Sequence, residues 1–411
     1  MAQCTTTVLG QLLDVLPRDA FERLTGHHHG DRRVRKLTCW QQLMILLYAQ
    51  ITEKDSLRDI ETVLLVQHCS WYHLGIDTVA RSTLAEANGK RSAKIFESLF
   101  YTFLQECLHF SADTAQAFSF ENPLYAIDST TIRLCLALFP WAKFRKKKGA
   151  IKLHVLLNIR SQIPELITIS TGKKADITAA RQIDLTLLPD GSILVMDRGY
   201  VDYSFLHDIH LVRKTFVVRL KENAQIVRIE QRTISDEERA AGVRKDERIA
   251  FILPEAVKAY PEDLRLVTFH DDEHDVTYEF LTHNLALSPK TTADIYKSRW
   301  QIELFFKWIK QHLKIKTFLG TSENAVLIQI WVAMTYYLLL AWLKHQTHFR
   351  GSILDLSRMI REVPLERISL INLLHLTPQN VSQIAKKPDS GQCSLFWRHP
   401  RLPLKCISGV S

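Results

Sequence analysis

The spacing of apolar residues is helical up to about residue 120 and becomes strand-like after it. Before it, leucines recur at helical spacing, at Leu9, Leu12, Leu13 and Leu16. Thr38 and Ser56 each precede an amphipathic run, where a helix N-cap belongs. Strand-like alternation is scarce here, so the pattern predicts a separate all-helical N-terminal domain over residues 1–120.

Short apolar runs separated by amphipathic segments follow, in the order β-β-β-α-β-α-β. The predicted strands are 124–127, 151–159, 166–169, 192–196 and 215–220, and the predicted helices are 176–188 and 202–211. This succession is typical of an α/β domain with a mixed sheet. We assign it to a core made of residues 121–221 and 286–350.

Residues 222–285 interrupt this rhythm and predict a β-rich insertion. The stretch 231–247 is strongly charged and is expected to be exposed, whereas 264–269 and 276–281 predict a strand pair. Ser288 and Pro289 then mark a helix start, and the helix is expected to run past Lys310. Residues 351–411 predict a partly helical C-terminal region of unknown function, with a loose tail from about Pro388.

One segment, 324–343, carries no charge and is long enough to cross a bilayer. Gln329, Thr335, Tyr336 and Tyr337 interrupt it, and the chain has no second candidate span. A buried core helix is therefore the preferred interpretation, and a membrane segment is the alternative.

Charge is distributed unevenly over the 411 residues, whose formal net charge is +9. The stretch between Asp128 and Glu165 has no acid but eight bases: Arg133, Lys143, Arg145, Lys146, Lys147, Lys148, Lys152 and Arg160. From Lys297 to Lys316 there are six bases and one acid, Glu303. Basic stretches of this kind favour nucleic acid as the partner.

The seven cysteines are widely spaced and form no CxxC pair: Cys4, Cys39, Cys69, Cys107, Cys135, Cys393 and Cys406. They are expected to be reduced thiols in a cytoplasmic protein, and no secretory signal is expected at the N-terminus. The triplet His27, His28 and His29 predicts a solvated loop, with a metal site as the alternative.

Two acids are predicted to end strands and to converge at one edge of the sheet. Asp128 follows the run 124–127, and Asp197 follows the run 193–196. The carboxyl ends of strands in α/β sheets meet at the ligand crevice, and paired carboxylates bind hard cations through oxygen. Each Asp alone could equally be a turn or cap residue.

A third acid, Glu303, lies on the predicted helix after Ser288. At about 100° per residue, Tyr296, Arg299, Glu303 and Lys310 fall within about 60° of one another. An exposed salt-bridge stripe is the simpler interpretation. However, a lone acid among bases is better explained if Asp128, Asp197 and Glu303 hold two magnesium ions about 3.5–4 Å apart. The neighbouring Arg and Lys residues would then bind phosphates. Tyr296 and Trp300 could stack on an unpaired base, with core packing as the alternative for Trp300.

The spacing Tyr296-x2-Arg299-x3-Glu303-x6-Lys310 resembles the Tyr-Arg-Glu-Lys box of bacterial insertion-sequence transposases with a DDE triad. The stretches 197–200, Asp-Arg-Gly-Tyr, and 128–130, Asp-Ser-Thr, are similar to the motifs around their first two acids. The runs 36–40 and 55–61 resemble the helical domain that precedes the catalytic core in one branch. The likeness extends to about residue 350.

This resemblance implies a ribonuclease-H-like catalytic core with a β-rich insertion before the Glu. It implies that Asp128, Asp197 and Glu303 are catalytic ligands of two Mg²⁺ ions, which Mn²⁺ can replace. Tyr296, Arg299 and Lys310 would contact the transposon end, Trp300 a flipped base, and His154 would lie near the site. The remaining expected DNA contacts are Arg198, Arg145, Lys146, Lys147 and Lys148.

The implied activity is cut-and-paste transposition. A nick at each transposon end frees a 3′-hydroxyl, which attacks the opposite strand or target DNA. The expected partners are double-stranded DNA, as terminal inverted repeats and target, and a second protomer on the DNA; the expected location is the cytoplasm, at the nucleoid. Two alternatives stay open: a metal nuclease without specific end binding, and a transposase-derived DNA-binding regulator, against which the intact triad argues.

Overall fold

A computed structural model describes residues 6–111, 120–145 and 148–375, except for the side chains of 109–111 and 145. The predicted helical N-terminal region is confirmed. Its helices are α1 (Val8–Leu13), α2 (Arg18–His27), α3 (Cys39–Ile51), α4 (Leu57–Val66), α5 (His68–Tyr72), α6 (Arg81–Lys90) and α7 (Lys94–Ser111). Thr38 and Ser56 cap α3 and α4 as expected, each in a reciprocal capping box.

The predicted β-β-β-α-β-α-β succession is present, with one additional short strand. Its elements are β1 (Leu124–Leu134), β2 (Lys143–Arg145), β3 (Lys148–Asn158), β4 (Ile163–Thr171), α8 (Asp176–Ala180), β5 (Ile193–Met196), α9 (Tyr203–Leu211) and β6 (Thr215–Arg219). The helix predicted over 176–188 ends early. Asp184 accepts a hydrogen bond from the Thr186 backbone N–H, which favours a separate turn at that point.

Asp128 does not end its strand, contrary to the sequence prediction. Strand β1 continues to Leu134 because it pairs antiparallel with β3 from Tyr125 to Leu134. Only its parallel pairing with β5 stops at Ile127. The end of the apolar run 124–127 therefore coincides with the end of the pairing between β1 and β5. The pairing with β3 extends β1 beyond that point.

The region 222–285 is rich in β-structure and joins the same sheet. Its elements are β7 (Ile226–Gln231), α10 (Asp236–Ala240), β8 (Val243–Phe251), α11 (Pro254–Ala259), β9 (Leu264–Asp271) and β10 (Val276–Thr282). The sheet has the order β2-β3-β1-β5-β6-β10-β9-β8-β7, and β4 pairs with β3. The mixed α/β class is thereby confirmed.

The charged stretch 231–247 was expected to be exposed, and this prediction is wrong for its last two residues. Asp246 is 2% exposed and Glu247 is 6% exposed. Arg265 donates hydrogen bonds from two nitrogen atoms to both Asp246 oxygens, at 2.8 and 2.9 Å. A bidentate Arg satisfies a buried carboxylate, and this partner is distant in sequence.

The helix predicted from Ser288 past Lys310 is divided in two. The C-terminal helices are α12 (Pro289–Ser298), α13 (Trp300–His312), α14 (Glu323–Gln346), α15 (Ile353–Glu362) and α16 (Leu370–Leu374). Arg299 lies at the junction. Its N–H donates to Tyr296 and its carbonyl accepts from Ile302, and such i→i−3 bonds tighten a helix locally.

Two hydrophobic layers cover the two faces of the sheet. One contains the buried residues of α1–α7, α13 and α14 together with Leu124 and Ala126 of β1. The other contains residues of α8, α9 and α11 with Tyr125 and Ile127. Within the described residues, the N-terminal helices therefore share one core with α14 and the sheet.

Helix α14 is the apolar segment that could cross a membrane by length, and it is buried inside the protein. Its Gln329, 7% exposed, clamps the loop between α13 and α14. The Gln329 Nε2 donates to the carbonyls of Lys314 and Thr317, at 2.5 and 2.9 Å. The Gln329 Oε1 accepts from the Leu319 N–H at 2.8 Å. The polar interruption of the apolar segment is thus a structural anchor.

A Gln329→Leu variant should be less stable, because the three backbone groups lose their partner. Each buried group left unsatisfied costs about 1–3 kcal/mol, so we expect a loss of at least about 2 kcal/mol in the free energy of unfolding. Urea denaturation measures this loss. Gln346→Leu, at the exposed end of the same helix, is the control. Equal stability of the two variants would contradict the role of Gln329 as an anchor.

A histidine cluster joins α9 to the end of β10. The rings of His210 and His283 stack with centroids 4.2 Å apart, and the Tyr260 hydroxyl lies 2.7 Å from His210 Nδ1. Burial, followed by the neighbouring His210, lowers the pKa of His283 to about 4. The neutral form of His283 is therefore the one that this packing stabilises.

Stability should consequently fall as the pH is lowered from about 6.5 to about 4. In that window the unfolded chain takes up a proton at His283 that the folded chain excludes. A His283→Phe variant lacks this proton linkage, so its unfolding free energy should fall less over the same window. Chemical denaturation at several pH values measures the difference, with the exposed His73→Gln as control. An unchanged pH slope in His283→Phe would refute the linkage.

Candidate active site

The register of β1 and β5 brings Asp128 and Asp197 side by side. The parallel pairing runs from Leu124↔Ile193 to Ile127↔Met196, and the residue that follows it in each segment is one of the two acids. Adjacent strands lie about 4.8 Å apart. Side chains alternate across a strand, so Asp128 lies on the same face as Ala126, the face that α13 covers.

Helix α13 brings Glu303 to the two aspartates, with Arg299 between them. The apolar side of the helix (Ile302, Phe305, Phe306 and Ile309) is buried. The Arg299 guanidinium lies 2.6 Å from Glu303 Oε1 and 3.9 Å from Asp128 Oδ2. Burial acts to lower the pKa of Arg299, but the neighbouring Tyr296, Glu303 and Asp197 together raise it, so Asp197 also lies near the guanidinium. The structure therefore brings the three predicted acids together around the guanidinium of Arg299.

Burial of Asp128 is the main electrostatic feature of the cluster, and the crowding of negative charge adds to its effect. Burial raises the pKa of Asp128 to about 6, and the neighbouring Asp197 and Glu303 add to the rise. The Ser129 N–H and Arg299 oppose it. Since the pKa of Asp128 is elevated although Arg299 lies 3.9 Å away, the buried carboxylate is only partly compensated by positive charge.

The donor set fits divalent metal ions. All three groups offer carboxylate oxygen, the ligand that hard cations prefer. Their oxygens are not all within 4.8 Å of one another; in the described part of the chain that arrangement occurs only at Asp271, Glu273 and His274, in the turn between β9 and β10. A wider spread suits two ions about 3.5–4 Å apart, each about 2.1 Å from its ligands.

Two aromatic residues of the motif have different surroundings. Trp300 is 57% exposed beside the cluster, so it is not a core residue. The Tyr296 ring packs on Phe280 with centroids 4.6 Å apart, and the Arg299 guanidinium lies 5.6 Å from the Tyr296 ring centroid. Trp300 has a free face for a ligand, whereas Tyr296 supports Arg299.

The predicted basic contacts are spread around the site. Lys310 is half-buried, and burial followed by the neighbouring Lys316 and Arg133 lowers its pKa. Arg133, Lys316 and Lys148 are exposed, and Arg198 pairs with Glu222 at 2.7 Å. The backbone of Arg145 lies in β2 without a described side chain, and Lys146 and Lys147 lie outside the described residues. Arg133 and Lys316 were not among the predicted contacts, although both lie in the basic stretches.

His154 is near the cluster but differs from the other expected DNA contacts because it is buried, at 7% exposure. Its ring lies 2.9 Å from Ser170 Oγ and 3.5 Å from Asp176 Oδ1. Burial lowers the pKa of His154 to about 4, against the effect of Asp176. The side chain is thus a neutral member of a polar group behind β1.

Other candidate residues have ordinary surroundings. His27 ends α2, His28 and His29 follow in a turn, and within the described residues they belong to no group that could hold a metal. Cys39, Cys69, Cys107 and Cys135 are free thiols. Cys4, Cys393, Cys406 and the tail from Pro388 lie outside the described residues.

Comparison with known proteins gives two family matches. Residues 119–339 match the transposase DDE domain, and residues 5–77 match a domain of unknown function, DUF4372. The match of 119–339 covers more than half of the 411 residues and includes all three acids of the cluster.

Curated relatives resemble most of the chain. A protein of Sinorhizobium fredii named as transposase y4zB is 30% identical over 73% of this chain and 81% of its own length. The transposase of insertion sequence element IS5377 of Geobacillus stearothermophilus is 28% identical, over 66% of this chain and 70% of its own. The corresponding protein of element IS4SA of Synechocystis is 26% identical, over 72% and 82%.

One solved structure, the cryo-EM synaptic complex of piggyBac transposase with hairpin DNA, aligns over 93% of this chain and 84% of that one. Its TM-score is 0.43 at 10% identity, too weak a likeness to assign the fold. The family follows from the domain match and the curated relatives: this chain belongs to the DDE-domain transposases of bacterial insertion sequences, metal-dependent enzymes that bind, cleave and transfer DNA.

Proposed function

We propose that Asp128, Asp197 and Glu303 bind two Mg²⁺ ions, or Mn²⁺ in their place, and that this centre cleaves the transposon ends. The observation that supports the proposal best is the convergence of the three acids around Arg299. The acids come from β1, β5 and α13, so no local sequence feature requires them to meet. Bound ions would supply Lewis acidity for DNA cleavage and for transfer of the 3′-hydroxyl ends to target DNA.

In each aspartate, a backbone N–H binds one carboxylate oxygen and leaves the other for a metal ion. Asp128 Oδ1 accepts from the Ser129 N–H at 2.7 Å, and Asp197 Oδ1 accepts from the Arg198 N–H at 2.7 Å. The second oxygen of each carboxylate is left for a cation, and on Asp128 it is the oxygen that lies near Arg299. With ions bound, Arg299 would be released to contact a phosphate, for which its planar donors are suited.

The DNA contacts follow from exposure and charge. Trp300 would stack on a flipped base, and Lys310, Arg133 and Lys316 would bind the backbone beside it. Tyr296, Arg299, Glu303 and Lys310 together support membership of the branch with the Tyr-Arg-Glu-Lys box. Lys148, Arg198 and the basic run 145–147 would extend the DNA contacts.

The strand order β4-β3-β1-β5-β6 supports a ribonuclease-H-like core. Three antiparallel strands precede two parallel ones, and the first two acids lie where the parallel pairing of β1 and β5 ends. We assign residues 121–221 and 286–350 to this core, 222–285 to the insertion and 1–120 to a DNA-binding region. Two protomers would pair the terminal inverted repeats in cut-and-paste transposition, in the cytoplasm at the nucleoid.

Replacing any of the three acids by its amide should abolish cleavage. Loss of several kcal/mol of metal-dependent stabilisation lowers a rate by at least about a hundredfold. We expect this for Asp128→Asn, Asp197→Asn and Glu303→Gln, measured as Mg²⁺-dependent cleavage of DNA that carries the element's terminal repeats. Asp294→Asn, whose carboxylate pairs with Lys290, is the control.

DNA that carries the terminal repeats also distinguishes a transposase from a nuclease and from a regulator. Transposase function requires cleavage at the repeat ends, whereas a nuclease without end binding would also cut DNA of unrelated sequence equally well. A regulator would keep its biological activity in Asp128→Asn. Full cleavage by Asp128→Asn would contradict the metal centre.

Neutralising the exposed cations near Lys310 should weaken DNA binding and its salt dependence. Each phosphate contact contributes about 0.9 to the slope of log affinity against log salt concentration. The double variant Arg133→Gln, Lys316→Gln should therefore lower that slope by about 2 in a fluorescence-anisotropy titration. Arg244→Gln, on β8 and paired with Asp272, is the control. An unchanged slope would remove both residues from the proposed DNA surface.

A further inference from the structure

A second polar group lies directly behind the acidic cluster, on the opposite face of the sheet. Ser129 follows Asp128 in β1, so its side chain points to the face that α8 and α9 cover. Ser129 pairs with His154 of β3, and Thr131 pairs with Lys152. Asp176, the first residue of α8, contacts Ser129, His154 and Lys152.

Asp176 is the centre of this group. Its Oδ1 accepts from Ser129 Oγ at 2.5 Å, and Lys152 Nζ lies 3.0 and 3.2 Å from its two oxygens. Burial alone would raise the pKa of Asp176, but the hydrogen bonds from Ser129 and Lys152 lower it. The carboxylate is therefore ionised, and Ser129 must be the donor to it.

Ser129 then links α8 to the acidic cluster, through one hydrogen bond of its side chain and one of its backbone. Asp176 fixes the side chain of Ser129, and the backbone N–H of Ser129 donates to Asp128 Oδ1 at 2.7 Å. The Lys152 side chain is only 15% exposed, and Asp176 provides the negative charge that compensates it. A half-buried ion pair at this position would be an expensive way to stabilise α8, which has five residues.

We propose that Asp176 is a positioning residue that orients the Asp128 carboxylate through Ser129 for metal binding. The inference rests on the proposed function, because it assumes that Asp128 is a metal ligand. Asp176 acts from the opposite face of the sheet and touches neither DNA nor metal. Its effect is therefore on the affinity for metal and on the metal-dependent rate, with DNA binding unchanged.

Ser129→Ala is the most informative variant, because it breaks the link and leaves the Asp176–Lys152 pair in place. We expect a roughly tenfold lower affinity for Mn²⁺ alone in a calorimetric titration of the full chain, the size typical of loss of an outer partner of a metal ligand. Cleavage should require correspondingly more Mg²⁺, with unchanged affinity for terminal-repeat DNA. Ser129→Thr, which keeps the hydroxyl, should restore both values, and Asp176→Ala should reproduce the loss.

Asp190→Asn provides the matched control. Asp190 accepts from Lys214 Nζ at 2.9 Å near the opposite ends of β5 and β6, so it is an Asp–Lys pair away from the site. Wild-type Mn²⁺ affinity in Ser129→Ala would overturn the inference, as would a loss that Ser129→Thr does not restore. If instead Asp128→Asn binds Mn²⁺ and cleaves like the wild type, the proposed function itself has failed.

Discussion

The structure depends on the crowding of three carboxylates at one place. Asp128, Asp197 and Glu303 repel one another, and this repulsion adds to burial, which is the main cause of the elevated pKa of Asp128. Arg299 offsets part of it through contacts with Asp128 and Glu303. A fold maintains such an arrangement only if its backbone is held firmly by other interactions, and divalent cations are the natural counterions of a site built from oxygen donors.

The remaining architecture supplies that support. Parallel pairing fixes the two aspartates in register, and the apolar side of α13 fixes Glu303 against the sheet. Helix α14 and the N-terminal helices enclose the same core, so α13 is supported from both sides. Gln329 ties the loop after α13 to the buried centre of α14. Catalytic constellations on rigid elements keep the geometry that their chemistry requires.

The two faces of the sheet around Asp128 carry different groups of polar residues. One face carries the acids, Arg299 and Trp300, which is 57% exposed. The other face carries Ser129, Asp176 and Lys152, whose charges are matched within the protein. His154 belongs to this second face, where it is 7% exposed and lies 3.5 Å from Asp176.

The sequence by itself determined the helical N-terminal region, most strands of the core, the three acids and the basic stretches around them. These features are periodic or local, so they can be recognised without knowing which segments meet. Only the tertiary structure decided that β1 continues past Asp128, that Asp246 is buried by Arg265, that the helix divides at Arg299, and that Asp176 reaches Ser129. The helix divides through local hydrogen bonds at Arg299. The other three features depend on partners well separated along the chain, and a contact between distant residues leaves no pattern in the local order of amino acids.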